Sequence, residues 1–407
     1  MRQRVAVTGI GCISCFGIGH RAFVEALTDG RSGIRPITAF DTSSCRSHCA
    51  ATIDGFDPAA FIPPLKLRRV DQVGRLALVC ALLLIEDATL TLGAGGTDDV
   101  GVALGTLTAG MDSTVEYLQG LTKHGPAGAP ALIFSNTVSN APGSLCAIEH
   151  GLRGPNVTFN QREASSLAAI AYAAGLIRDG RVPAMMSGGA DRLEQTFFTV
   201  QERFGPLARS RNGQEVSRPF DRRRNGMVFG EAGVLMLFEA ADAAAARGAR
   251  PYGEILGLGM TASRAELNGW PVDSSGTARA MRLALEDAEV SATEVACVFA
   301  AANGATRLDA LEAEAIGSVF RSDVPVVSLK GAIGESGAAG AAALAAGLMT
   351  MADKIVPPTV GFEEADPACP VNVSSAGRSV GGRTFLVNSV ASGGTNYSLV
   401  VHAADNR

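Results

Sequence analysis

The stretch Gly154-Pro155-Asn156-Val157-Thr158-Phe159-Asn160-Gln161-Arg162-Glu163-Ala164-Ser165-Ser166-Leu167 holds the most informative chemistry in the chain. Its pattern predicts a strand that runs into a tight turn and then an apolar helix. Such an elbow places one side chain at a helix N-terminus, where backbone N–H groups and the helix dipole favour negative charge. A thiolate nucleophile would benefit there, but the position is held by Glu163. A carboxylate in a first helical turn is also ordinary helix-start chemistry. On the residues alone, that structural reading is the stronger one. Cys12-Ile13-Ser14-Cys15 and Cys45-Arg46-Ser47-His48-Cys49 could offer zinc ligands. A C-x-x-C spacing has a high false-positive rate, and small reduced thiols packed after a Gly-rich strand explain these residues better. No metal and no cofactor is expected.

The elements that must carry this elbow alternate between strand and helix. Strands are predicted at Arg4–Ile10, Val100–Leu107, Asn156–Asn160, Ala184–Ser187 and Val234–Glu239. Helices are predicted at Arg21–Asp29, Asp71–Glu86, Met111–Thr122 and about Ala164–Asp179. A linker-like stretch, Ala241–Arg250, precedes a second series. That series has strands at Glu254–Leu258, Ala296–Ala301 and Val326–Ser328 and helices at Thr277–Ala288, Asp309–Phe320 and Ser336–Ala352. Phe385–Val390 and Tyr397–His402 close it as a strand pair around a Gly-Gly turn. Buried strands alternating with helices predict α/β layers. Two similar series predict a duplicated unit, divided as 1–250 and 251–407.

Composition sets the outer limits. The chain has 407 residues, of which 47% are hydrophobic and 18% charged, enough for a large core and too apolar for disorder. A net charge of −5 argues against a nucleic-acid footprint, and no basic amphipathic stretch suggests a membrane surface. Ser336–Ala352 is uncharged but short and Ala-rich, so it reads as a buried helix and not as a membrane span. Gly125–Ile148 is uncharged too, but its three prolines and polar residues exclude a span. The N-terminus lacks a signal-peptide layout. A cytoplasmic protein with reduced cysteines is expected.

The motifs also resemble a known family. From Arg4-Val5-Ala6-Val7-Thr8-Gly9-Ile10-Gly11 to Asn388-Ser389-Val390-Ala391-Ser392-Gly393-Gly394-Thr395-Asn396, the chain resembles the β-ketoacyl-acyl-carrier-protein synthases of the thiolase-like condensing enzymes. Landmarks between are Ser217-Arg218-Pro219-Phe220-Asp221, Gly230-Glu231, Glu312-Ala313-Glu314-Ala315-Ile316 and Pro357-Pro358-Thr359. The resemblance implies a five-layer αβαβα fold of two pseudo-repeated halves. It also implies three catalytic positions: Cys at the elbow, His in a His-Gly-Thr-Gly-Thr segment, and His after a Lys-x-x-x-Gly pattern. Here these positions read Glu163, Ala301 and Glu335, and the family's gating Phe before Gly393 and Gly394 reads Ser392. The two pantetheine-contacting threonines read Asn303 and Ala305. Glu312 and Lys330 match a pair that braces the active site.

Each departure removes a chemical step. Condensation needs a nucleophile to hold an acyl thioester and donors to stabilise the enolate formed when malonyl loses CO2. Glu163 is a poor acyl acceptor, Ala301 has no donor, and Glu335 would repel an enolate unless protonated. The five histidines, His20, His48, His124, His150 and His402, lie outside both motifs. Within that family the chain resembles the chain-length factors of type II polyketide synthases, the β-subunits of ketosynthase pairs. Glu163-Ala164-Ser165-Ser166-Leu167 and Phe299-Ala300-Ala301-Ala302-Asn303-Gly304-Ala305-Thr306-Arg307-Leu308-Asp309 carry that likeness, with Glu where the subgroup usually has Gln.

This implies a non-catalytic subunit that pairs with an active ketosynthase through the Asn156–Asn160 strand and sets the length of a chain carried on the phosphopantetheine of an acyl carrier protein. Met111, Thr114 and Leu118 fall at the family's tunnel-wall positions, on one helical face; the same spacing also suits a core stripe. These side chains are smaller or more flexible than an aromatic wall, which suits a long apolar product. Arg222-Arg223-Arg224 could dock an acidic carrier, although a solvated loop is the better reading. Two rival functions remain: a malonyl-carrier decarboxylase that makes starter units, and a homodimeric synthase with an unusual nucleophile.

Overall fold

The computed structural model of the chain describes residues 2–93, 95–210 and 214–405. Among those residues the framework is one 12-stranded sheet, eleven strands in a continuous hydrogen-bonded path and the short Gly17–Ile18 paired off it on Val5–Ser14. At its centre, Val5–Ser14 pairs antiparallel with Gly253–Ala262, Val5 opposite Ile255 and Val7 opposite Gly253. Outward from Val5–Ser14 lie Ala232–Ala240, Ala184–Asp191, Val100–Gly105 and Asn156–Phe159. Outward from Gly253–Ala262 lie Thr395–Ala403, Thr384–Val390, Cys297–Phe299 and Pro325–Val327, with Asn372–Val373 beyond. On each side the two inner pairings are antiparallel and the next two parallel. Counted in chain order within its own half, each side has the strand order 1-5-4-2-3. The duplication inferred from the alternating pattern is therefore present in the topology.

Helices complete five layers. Gln72–Asp87 and Ala141–His150 cover one face of the first half, and Ser275–Ala288 covers the second half with Thr306–Val319 packed on it. Between them, Ser165–Arg178 and Ala339–Thr350 pack on each other and touch strands of both halves. A helix with a sheet on either side has no polar face. This is why Ser165–Arg178 and Ala339–Thr350 are built of Ala, Gly, Leu and Ile and are buried almost throughout. Small residues also set the spacing. A Cβ on Gly105 would stand 2.3 Å from the backbone carbon of Ser165, and one on Gly340 would stand 2.4 Å from a methyl of Leu167.

Several boundaries differ from expectation for local reasons. The first strand runs to Ser14, so Cys12 lies within it and Cys15 directly follows. The helix expected from Ser336 begins at Ala339. The residues before it form a turn that follows Gly334, which has φ 70°, and the Gly337 carbonyl accepts from the Ser166 N–H at 2.9 Å. Ala141–His150 is a helix not assigned from sequence, with Pro142 in its first turn. A proline in the first turn has no intrahelical N–H bond to lose. Gln195–Phe204 is a further helix not assigned from sequence, started by the Glu194 carboxylate accepting from the Phe197 N–H. The Gly-Gly turn between the last two long strands is present, with Gly393 and Gly394 at φ 101° and 94°. Among the described residues no helix is long and apolar enough to cross a membrane.

Two glycines in this layer should respond with opposite sign. Gly105→Ala drives a methyl into the Ser165 backbone and should cost about 3 kcal/mol, the upper end for overpacking. Gly175 lies inside helix Ser165–Arg178 with nothing within 4 Å of its notional Cβ. Gly175→Ala should therefore add about 0.5–1 kcal/mol. Equilibrium denaturant unfolding of both variants measures the difference.

Candidate functional site

The elbow forms where strand Asn156–Phe159 gives way to a short 3-10 turn, Arg162–Ala164, and then to helix Ser165–Arg178. Arg162 takes the left-handed conformation, φ 54°, and its guanidinium Nη1 donates to the side-chain oxygen of Asn268 at 2.8 Å. The Ser165 hydroxyl donates to the Arg162 carbonyl at 2.6 Å and its oxygen accepts from the Gln161 N–H at 2.9 Å, closing the turn on itself.

Glu163 is 3% exposed. Sequence reasoning predicted a carboxylate held by helix N–H groups. The structure corrects this: the carboxylate leaves its own helix and crosses to Ser392. The Ser392 N–H donates to Glu163 Oε2 at 2.9 Å, and the Ser392 hydroxyl lies 3.0 and 2.9 Å from the two oxygens. Ser389 adds a hydroxyl bond to the Glu163 carbonyl at 3.2 Å. The small residue that replaces the family's gating Phe is thus what receives Glu163.

The other two positions singled out from sequence, Glu335 and Ala301, lie in the same buried region. Glu335 is fully buried. Its Oε2 accepts from Lys330 Nζ and Asn303 Nδ2, both at 2.7 Å. Lys330 also donates to the Ala301 carbonyl at 2.8 Å. Lys330 therefore forms its ion pair with Glu335 and not with Glu312, as the family pattern had implied. Glu312 is satisfied elsewhere, accepting from the Ala301 N–H at 2.7 Å, the Ala302 N–H and the Asn388 amide, both at 2.6 Å. Ala301 offers no donor side chain, and Trp270 packs beside it. Asp309 organises the Asn303 loop, accepting from the N–H groups of Asn303, Gly304 and Phe220.

Burial dominates the electrostatics. It pushes the Glu335 carboxyl up to about 7 against the opposing pull of Lys330, and the Glu163 charge adds to the rise. Burial likewise lifts Glu312, with the Asn388 hydrogen bond and the Lys330 charge pulling it down. The cluster holds several carboxyls and few cations, so a further anion would be opposed there.

The remaining sequence candidates divide clearly. Met111, Thr114 and Leu118 do share a face of helix Met111–His124, but it is not a core stripe: Leu118 is 49% exposed and the other two are half-buried. Leu132 and Phe134, in the segment Ala131–Asn136 packed on that helix, are 67% and 59% exposed, and Ile148 of helix Ala141–His150 is 77% exposed; Tyr117 meets Phe134 at a tilted ring angle. Strand Asn156–Phe159 ends the hydrogen-bonded path with one edge unpaired among the described residues, and Thr158 Oγ1 is buried there without a partner. Arg222 and Arg223 are engaged by Glu364 at 3.0 Å and Glu363 at 2.9 Å, and Arg224 by Asp366, so the run carries little free charge. Cys12 and Cys15 are buried, and burial raises both thiols, Cys15 to about 12. Among the described residues no group of three or more His, Cys, Asp or Glu could hold a metal.

Sequence reasoning missed Trp270 and the Asn303–Glu335–Lys330 chain. Asn303 was visible only as a lost threonine, and nothing in the local pattern brings Lys330 to Glu335.

The pH dependence follows with a definite sign. A carboxyl raised by folding binds its proton more tightly in the folded chain than in the unfolded one. Stability is then greatest below the ordinary carboxyl range and falls as pH rises toward 7. Glu335→Gln removes one such group. The stability of wild type relative to this variant should therefore fall by about 1–3 kcal/mol between pH 5 and pH 8, as read by denaturant unfolding at each pH.

Comparison with known proteins agrees with this geometry. The family model "Beta-ketoacyl synthase, N-terminal domain" matches residues 2–243, and "Beta-ketoacyl synthase, C-terminal domain" matches 252–363. The chain is 30% identical to 3-oxoacyl-(acyl-carrier-protein) synthase 2 of Vibrio harveyi over 407 residues, 98% of each chain. It is 34% identical to the tetracenomycin polyketide synthase ketoacyl synthase beta subunit of Streptomyces glaucescens, again over 98% of each. Among solved structures, the ishigamide ketosynthase/chain length factor superposes with a TM-score of 0.91 at 29% identity, covering 99% of this chain and 100% of that one. The elbow, the two-half sheet and the Gly-Gly turn are thus those of a thiolase-like ketosynthase fold, and the chain belongs to the β-ketoacyl synthase family.

Proposed function

We propose that this chain is the non-catalytic partner of an active ketosynthase and sets the length of the acyl or polyketide chain carried by acyl carrier protein. The observation that carries the reading is Glu163. At the nucleophile's position stands a buried carboxylate already bound to Ser392, and neither neighbouring position supplies an imidazole. A carboxylate so held cannot accept an acyl group from a thioester, and the enolate donors are gone. The partner would supply both functions. The likeness to a beta subunit and to a ketosynthase/chain length factor supports the pairing. The decarboxylase alternative has less support, because malonate would meet Glu163 and Glu335 where it needs donors.

The surface suits the pairing. The Asn156–Phe159 edge can extend its ladder into a second sheet across a twofold-like axis. Leu132, Phe134 and Ile148 are exposed apolar side chains, and apolar surface of this kind is what an interaction site uses. Met111, Thr114 and Leu118 would then face the partner and wall its acyl tunnel, which suits a helix face that is not part of the core. The residue ranges 1–250 and 251–407 serve as two halves of one scaffold in this reading, with no separate activity in either.

A wall acts by sterics, and each ~1.4 kcal/mol changes a partition ratio tenfold. In reconstitution with the partner ketosynthase, Leu118→Ala or Met111→Ala should lengthen the dominant product, and Thr114→Phe should shorten it. Chromatographic sizing of the products reads the shift. Unchanged length distributions in all three variants, with the complexes intact, would remove the wall role.

A further inference from the structure

The contacts of Glu163 support a statement about ligand binding. We infer that Ser392 and its flanking turn form a built carboxylate-binding site, which this chain fills with its own side chain. Three observations converge on it. The donors are a main-chain N–H at 2.9 Å and a hydroxyl within 3.0 Å of both oxygens, an arrangement that grips one carboxylate group from one side. Both residues are more than nine-tenths buried, so water does not compete for the donors. The turn that presents the N–H is fixed by glycines: Gly393 and Gly394 take positive φ, the Gly393 N–H donates to the Gly269 carbonyl at 2.8 Å, and the Ser263 N–H donates to the Gly394 carbonyl at 2.7 Å. The Ser392 N–H is therefore aimed by the fold and not by Glu163.

A tethered occupant is present at a high effective concentration and does not dissociate. The native pocket is accordingly closed by occupancy as well as by loss of a nucleophile. Removing the nucleophile alone would have left the donors free for a substrate's carbonyl or carboxyl. If the chain pairs as proposed above, the consequence is an asymmetric pair with one open site and one sealed site. The binding site itself does not depend on that pairing and is tested on the isolated chain.

Trimming the occupant should make the site accept a free one. Glu163→Ala removes Cγ and the carboxyl group. Formate restores the carboxyl carbon with both oxygens, and acetate also replaces Cγ. Thermal unfolding of Glu163→Ala, titrated with sodium formate or acetate at constant ionic strength, should show a saturable rise in Tm of about 1–3 °C. The neutral analogue formamide and sodium chloride should give none. Wild type should be flat, because its site is filled. Adding Ser392→Ala to the Glu163→Ala background should weaken the apparent affinity roughly tenfold, the effect of one lost hydrogen bond to a charged group. Should Glu163→Ala not fold in plain buffer, Glu163→Ser carries the same titration. A flat carboxylate response in whichever variant folds, or an equal rise in wild type, overturns the inference.

Discussion

The start of one Ala-rich helix is bonded to the start of another, between two halves of a sheet, and the rest of the molecule is arranged around that contact. Ser166 donates its N–H to the Gly337 carbonyl, and its hydroxyl accepts from the Ala341 N–H at 3.0 Å. The close approach of Gly105 to Ser165 places the elbow directly beneath the first half of the sheet. With a sheet on either side, these helix starts have no route to water. Any polar group at the elbow must find its donors inside the protein.

That constraint explains how an acidic residue occupies a nucleophile's position without unfolding the region. An unpartnered buried carboxylate would be prohibitive. Glu163 is instead satisfied by Ser392, Glu335 by Lys330 and Asn303, and Glu312 by two backbone N–H groups and Asn388. Each acid has its own donors, and the one ammonium in the cluster goes to the acid nearest it in sequence. Burial still lifts Glu335 toward neutral pH, so the cluster retains a proton that an exposed carboxyl would lose.

Much of this was legible in the residues. Alternating buried strands and helices predicted the layers, and the repeated series predicted a topology that does occur twice. Glu163, Ala301 and Ser392 were singled out from motif spacing, and the fold brings Glu163 to Ser392. Pairings that depend on tertiary approach were not legible. The Lys330 ammonium could reach either of two acids, and only the packed turn before Ala339 selects Glu335. Helix Ala141–His150 was not assigned, since the prolines of Gly125–Ile148 were weighed only against a membrane span, and a proline in a first turn is compatible with a helix. The face of Met111, Thr114 and Leu118 could not be assigned by periodicity, since a core stripe and an interface stripe share one spacing. Exposure removes the core stripe.

If this chain pairs with an active ketosynthase as proposed, acyl chemistry belongs to that partner and not to this chain. Intact-mass spectrometry of the reconstituted pair, after incubation with an acyl carrier protein thioester, reads which subunit carries the acyl group. The predicted spectrum carries the acyl increment on the ketosynthase partner, with this chain at its unmodified mass. An acyl increment on this chain, with the partner present or absent, would contradict the claim.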